Sequence, residues 1–188
     1  MKLTGNHLFR CASHAKIFTT AAIMKLKSDN KLALDDRVSK FLPWFFSEQD
    51  PNLEKITIFH LLTHTAGITV DGKCVNGNEW DLPDITLMKE HVQQGISIYS
   101  VGDKIKYSNF GYTLLGLIIE KVTGNKYADY IQNHIFNLLN IENSSTDITI
   151  ENQKRLVSGY SSWFPSKKSN FVSSPQNRLI CSCLWTNK

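Results

Sequence analysis

The chain has 188 residues, with 21 Lys and Arg against 17 Asp and Glu, 6 His and 4 Cys. That length predicts one domain with a substantial core, and a hydrophobic share of 41% places the chain among globular rather than disordered sequences. No apolar run approaches the roughly 18 residues of a membrane span, and the polar start Met1-Lys2-Leu3-Thr4-Gly5-Asn6-His7 lacks the apolar stretch of a signal peptide; integral membrane proteins, long coiled coils and collagen-like chains are therefore excluded.

The net charge of +4 is unevenly spread. Residues 1–150 hold 15 Lys/Arg and 16 Asp/Glu, whereas residues 151–188 hold 6 Lys/Arg and 1 Glu. Nucleic-acid recognition calls for a basic stripe on a defined element. Here the excess lies among serines after residue 150, so no nucleic-acid partner is expected. Cys11, Cys74, Cys181 and Cys183 include no Cys-x-x-Cys pair. They read as ordinary thiols rather than a zinc site.

In chain order, residues 13–27 predict a helix. Ile17, Ala21 and Met24 form one apolar stripe and Phe18, Ala22 and Leu26 another, so burial on several sides is expected. Leu32, Leu34, Val38, Phe41 and Leu42 form a short helical or irregular apolar segment that Pro43 stops. Thr57 is placed to cap a short helix through Phe59, Leu61 and Leu62, with Gly67 at its end. Residues 69–84 read as a surface loop. Ile96-Ser97-Ile98 and Ile105-Lys106-Tyr107 alternate like short strands. Residues 109–123 predict a second helix with Leu114, Leu115, Ile118, Ile119 and Val122 on its apolar face, Ser108 or Asn109 as cap, and Gly124 just past the end. A further helix turns Tyr127, Ile131, Ile135 and Phe136 inward. Residues 158–188 lose all periodicity, and 8 of those 31 residues are Ser.

Three clusters carry potential chemistry. Ser13-His14-Ala15-Lys16 is a Ser-x-x-Lys at the start of the first helix. A serine hydroxyl needs a base to become a nucleophile, and residues i and i+3 share a helix face, so the Lys16 amine can reach Ser13 Oγ. Alone the motif is weak: Ser and Lys each make up about 9% of the chain, and Ser28-Asp29-Asn30-Lys31 is a second match. Tyr107-Ser108-Asn109 precedes the second long helix. A tyrosine beside a cation can act as a base, and Asn109 offers a donor and an acceptor to a substrate amide; the plainer reading is an aromatic followed by helix-capping residues. His60 and His64 are four apart, but Leu61 stands where a zincin would carry Glu, so packed or hydrogen-bonded histidines are expected, not a metal site. His14 has no acidic orienter, and a Ser-His-Asp triad is not supported.

Together these segments resemble one family, the serine β-lactamase-like hydrolases that include class C β-lactamases, D-Ala-D-Ala carboxypeptidases and related esterases. Phe9 through Lys16 resembles the nucleophile segment. Leu32-Ala33-Leu34-Asp35-Asp36 through Phe41-Leu42-Pro43 is similar to the stretch that follows it. Ile56-Thr57-Ile58 leading into Leu61-Leu62-Thr63-His64-Thr65-Ala66-Gly67 resembles the family's most recognisable signature, with Ala66 where Ser is usual. Tyr107-Ser108-Asn109, then Gly111-Tyr112, Leu114-Leu115-Gly116 and Glu120, resembles its Tyr-x-Asn motif and next helix. Val101 stands where Pro is common, and Asn140 where Gly is usual.

The resemblance implies an α+β, β-lactamase/transpeptidase-like fold over residues 1–160, mainly its helical part, with a Ser-rich basic tail over 161–188 that is irregular. It implies Ser13 as acylated nucleophile, Lys16 as the group helping to deprotonate it, Tyr107 as partner base, Asn109 as the substrate-amide ligand, and the Ser13 backbone N–H as one oxyanion donor. No metal or cofactor is implied. The implied partner is a small-molecule or peptidoglycan-like substrate; relatives are often periplasmic or extracellular, while oligomeric state and compartment stay open. The family also carries strands before the nucleophile segment and a third, Gly-containing motif near its end. About a dozen residues precede Ser13 here and no Gly follows Gly159, so a truncated member is expected, either still hydrolytic or a non-catalytic remnant or peptidoglycan-binding module.

Overall fold

A computed structural model describes residues 3–4, 6–71, 85–157 and 184–185. The elements run β1 (Phe9–Arg10), a 3-10 turn (Ala12–Ala15), α1 (Lys16–Ser28), α2 (Val38–Phe41), a second 3-10 turn (Pro51–Lys55), α3 (Ile58–Leu62), α4 (Ile85–Gln93), α5 (Asn109–Thr123), α6 (Tyr127–Ile131) running into a π-helical turn (Gln132–Phe136), α7 (Ile150–Gln153) and β2 (Leu184–Trp185). Among the described residues no helix is long and apolar enough to cross a membrane.

The centre of the fold is α5, and its sequence explains why. The Ser108 side chain accepts the Gly111 N–H at 2.9 Å and so caps the start, while Gly124 ends the helix with a φ of 71°, a conformation open to Gly at no cost. Between these caps Phe110 through Gly116, Ile118 and Ile119 are all buried. A helix apolar on nearly every side must be enclosed, and α1, α2, α3 and α6 pack around it. Polar side chains tie the layers: Thr19 to Tyr127 at 2.7 Å, Thr20 to Tyr112 at 3.2 Å, and Tyr112 Oη donating to the Leu62 carbonyl at 3.2 Å. Phe18 meets Phe136 edge-on, with centroids 5.0 Å apart. Glu120 accepts the Tyr127 N–H at 2.7 Å and fixes the turn from α5 into α6. At Asn140 φ is 53°, a left-handed conformation Asn tolerates.

Among the described residues strand content is small. β1 and β2 pair antiparallel, Phe9 opposite Trp185 and Arg10 opposite Leu184, and isolated bridges join Leu8 to Leu156, Arg37 to Thr57 and Ile68 to Ser97. Within the Ser-rich stretch expected to be irregular, Leu184–Trp185 thus form a strand; the rest of 158–188 lies outside the described residues.

Several local expectations change. In α1 the buried stripe runs through Lys16, Thr19, Ala22, Ile23 and Leu26; Ile17 is 66% and Met24 42% exposed, so the helix is not enclosed on several sides. Gly67 does not end α3. The helix stops at Thr63, and His64 takes the left-handed position with φ 58°. Gly67 instead makes a later turn with φ 70°, where an added Cβ would lie 2.3 Å from the Tyr99 carbonyl oxygen. Residues 105–107 are not a ladder strand. Among the described residues, they are tied through the backbone by Lys106 N–H to the His64 carbonyl at 2.7 Å. α4, with Met88, His91 and Val92 buried, was not predicted. Of the predicted loop 69–84, residues 69–71 are half-buried against the start of α5, and 72–84 lie outside the described residues.

Candidate active site

Ser13 sits in the 3-10 turn that leads into α1. The residue before it, Ala12, has φ 45°, a conformation that costs a non-glycine residue about 1–2 kcal/mol. Such strain is retained where the surrounding structure holds it, often beside functional groups. The turn presents Ser13 at the surface, while Lys16, one turn later on the same face, is 7% exposed.

The other half of the site comes from the segment ahead of α5. Tyr107 Oη lies 2.7 Å from Ser13 Oγ. Lys16 Nζ donates to Asn109 Oδ1 at 2.7 Å and reaches Ser13 Oγ at 3.5 Å. The ammonium also lies over two aromatic rings, 4.8 Å from the Tyr107 centroid and 5.4 Å from that of Tyr112, which offsets part of its desolvation. Ser13, Lys16, Tyr107 and Asn109 therefore converge, although more than ninety residues separate the two pairs in the chain.

Two residues outside the predicted set shape this cluster. Asp71 Oδ1 accepts from Asn109 Nδ2 at 2.6 Å. With a carboxylate on one side and an ammonium on the other, the Asn109 amide has a single sensible orientation, nitrogen toward Asp71 and oxygen toward Lys16. The neighbouring carbonyls serve the same helix start: Thr69 accepts from Ser108 Oγ at 2.7 Å and Val70 from the Phe110 N–H at 2.8 Å. No sequence pattern marked Asp71, because its role depends on a loop crossing the start of α5.

His64 is the second. After α3 the Thr65 N–H bonds the His60 carbonyl at 2.9 Å and the His64 N–H the Leu61 carbonyl at 3.3 Å, a Schellman turn with His64 in the position Gly usually fills. Its Nδ1 accepts the Ser108 N–H at 3.2 Å, and its ring lies 4.7 Å from Tyr107 and 5.1 Å from Tyr112. Burial, then the Lys16 charge, push His64 below the ordinary histidine value, in keeping with a neutral ring that accepts at Nδ1 and carries its proton on Nε2.

The remaining candidates lie elsewhere. His14 Nδ1 pairs with the Cys11 carbonyl at 3.0 Å at the surface. His60 Nδ1 completes the capping box with Thr57 at the start of α3. The second Ser-x-x-Lys, Ser28 to Lys31, is exposed at the end of α1.

The family model described as "Beta-lactamase" matches residues 1–178. Protein flp of Staphylococcus aureus strain NCTC 8325 is 36% identical over 164 residues, which is 85% of this chain and 32% of that protein. Penicillin-binding protein 4* of Bacillus subtilis strain 168 is 37% identical over 139 residues, covering 71% of this chain and 29% of that one. Among solved structures, a class C β-lactamase superposes with a TM-score of 0.80 at 20% identity, over 99% of this chain and 49% of that chain. FmtA from Staphylococcus aureus gives 0.79 at 24% identity, over 99% of this chain and 51% of that chain. The chain thus spans about a third of the length of the two sequence relatives and about half that of the solved structures. A match over nearly the whole sequence, together with the expected fold, establishes that this chain belongs to the β-lactamase family.

Proposed function

We propose that the chain carries the nucleophile half of a serine hydrolase site that opens an amide or ester carbonyl through an acyl-serine intermediate. The observation that carries this reading is the 2.7 Å contact between Ser13 Oγ and Tyr107 Oη, with the Lys16 ammonium beside both. Tyr107 reacts as the phenolate beside the Lys16 ammonium: as Ser13 Oγ bonds to the substrate carbonyl carbon, the Ser13 proton passes to the phenolate oxygen, leaving a neutral phenol, and the carbonyl π electrons move onto its oxygen. The Ser13 backbone N–H donates to the carbonyl oxygen as it becomes an oxyanion. The Lys16 charge stabilises the phenolate form of Tyr107 that takes the proton. When the carbonyl re-forms, the bond to the amine or alcohol breaks, and Tyr107 returns the proton to that leaving group. Water then gives a proton to Tyr107 as its oxygen bonds to the acyl carbon, and the bond from that carbon to Ser13 Oγ breaks as Tyr107 returns the proton to Ser13, freeing the acid. Asn109, oriented by Asp71, hydrogen-bonds the substrate amide.

The name of one relative, penicillin-binding protein 4*, and a class C β-lactamase structure in complex with cefoxitin support a β-lactam as the substrate; a D-Ala-D-Ala peptide or a small ester would offer Ser13 the same kind of acyl carbonyl. The test is hydrolysis of a chromogenic ester and of a chromogenic cephalosporin by the full chain and by Ser13→Ala. Turnover of either substrate that Ser13→Ala abolishes supports the proposal. Absence of any turnover, or turnover that survives the substitution, favours a non-catalytic remnant or peptidoglycan-binding module.

A further inference from the structure

We propose that His64 is the positioning residue for Tyr107: it fixes the backbone on both sides of the phenol and holds the ring against its own, so that Tyr107 Oη meets Ser13. The proposal rests on the reading of Tyr107 as the base for Ser13. Its geometric basis is separate. The His64 carbonyl accepts the Lys106 N–H at 2.7 Å and its Nδ1 accepts the Ser108 N–H at 3.2 Å, so the amides flanking Tyr107 are both anchored on one residue. The His64 and Tyr107 rings lie 4.7 Å apart at 38°. The Tyr107 segment belongs to no sheet and Tyr107 itself is 41% exposed. Among the described residues Lys16 Nζ also lies over the Tyr107 ring and the Thr69 carbonyl accepts from Ser108 Oγ, but it is His64 that bonds the amides on both sides of Tyr107.

The backbone of His64 points the same way. A Schellman turn is relieved by Gly at this position, yet the chain carries a histidine at φ 58°. Glycine there would remove both the Nδ1 acceptor and the ring. Strain kept at one residue whose side chain reaches the site fits a positioning role rather than a role in ending α3.

Two substitutions separate these roles. His64→Gly suits the turn but deletes the acceptor and the ring. His64→Asn tolerates the same backbone and places Oδ1 near the position of Nδ1. With a fluorophosphonate as probe, Ser13 labelling is expected to slow about 100-fold in His64→Gly, the cost of misplacing a reacting group by about 1 Å. His64→Asn should recover to within about fivefold, and the melting temperature of His64→Gly should equal or exceed that of the parent. In a Tyr107→Phe background the glycine substitution should cost less than about threefold more, because its effect runs through Tyr107. Equal labelling of His64→Gly and the parent, or an undiminished loss in the Tyr107→Phe background, overturns the proposal. If the parent itself does not label, the hydrolase reading fails, and the tyrosine ring-carbon NMR signals decide the positioning role. The Tyr107 signal, assigned by its loss in Tyr107→Phe, must then move in His64→Gly and return in His64→Asn; an unmoved signal overturns the proposal. His64→Ala serves for both readouts if the glycine variant does not fold.

Discussion

Ser13 Oγ and Tyr107 Oη stand 2.7 Å apart, joining the turn before α1 to the segment before α5 across 94 positions of sequence. That is hydrogen-bond distance, the reach a general base needs. Tyr107→Phe should therefore cut the rate of Ser13 acylation about 10²–10⁴-fold, the usual worth of a positioned base. Tyr107 is 41% exposed, so its stability change should stay within about 0.5 kcal/mol. Stopped-flow labelling and a urea melt on the same variant separate the two effects.

Asp71 should matter through Asn109. Asp71→Ala removes the acceptor of the Asn109 Nδ2 hydrogens, leaving the amide free to rotate and Lys16 Nζ to meet nitrogen instead of oxygen. We expect acylation to slow about tenfold, from the loss of a charge-assisted hydrogen bond of about 1.5–3 kcal/mol, while Asp71→Asn, which keeps an acceptor oxygen, loses less. The side-chain amide NMR signals of Asn109 should shift in Asp71→Ala.

The histidines give the fold a pH dependence of known sign. Burial holds His60 below the ordinary histidine value, and burial and then the Lys16 charge do the same for His64. The unfolded chain, with histidines near 6.5, binds more protons than the folded one below that pH. Stability is thus fully present above about pH 6.5 and lost as the pH falls through the lowered folded values. The melting temperature should drop between pH 7 and pH 5, with a shallower slope in His64→Asn; equal slopes contradict the assignment for His64.

Phe110 is 1% exposed at the first turn of α5, whereas Ile17 on α1 is 66% exposed. Phe110→Ala should destabilise the chain by about 3–5 kcal/mol, and Ile17→Ser by no more than about 0.5 kcal/mol. Denaturant unfolding monitored by far-UV circular dichroism measures both.

These contrasts also explain what the sequence could reveal. α5 was legible because apolar residues filled a 15-residue span between a Ser cap and a terminal Gly. The Ser-x-x-Lys and Tyr-Ser-Asn segments were legible as local patterns, and only their resemblance to a family joined them; their approach in space is a long-range contact that no periodicity encodes. α4 escaped notice because its buried set, Met88, His91 and Val92, includes a polar residue and is short. Ile17 and Met24 misled because an apolar stripe shows only that a face could be buried. His64 was expected to be a hydrogen-bonded histidine and is one, but the turn that aims it at Ser108 depends on a left-handed backbone that sequence alone assigns to Gly.

The central claim is that Ser13 is a nucleophile activated within this chain, and intact-mass spectrometry after reaction with a fluorophosphonate tests it most directly. The account predicts a single covalent adduct, mapped by peptide digestion to Ser13, absent from Ser13→Ala and strongly reduced in Tyr107→Phe. A folded chain that acquires no adduct, or one whose adduct maps to another residue, contradicts it.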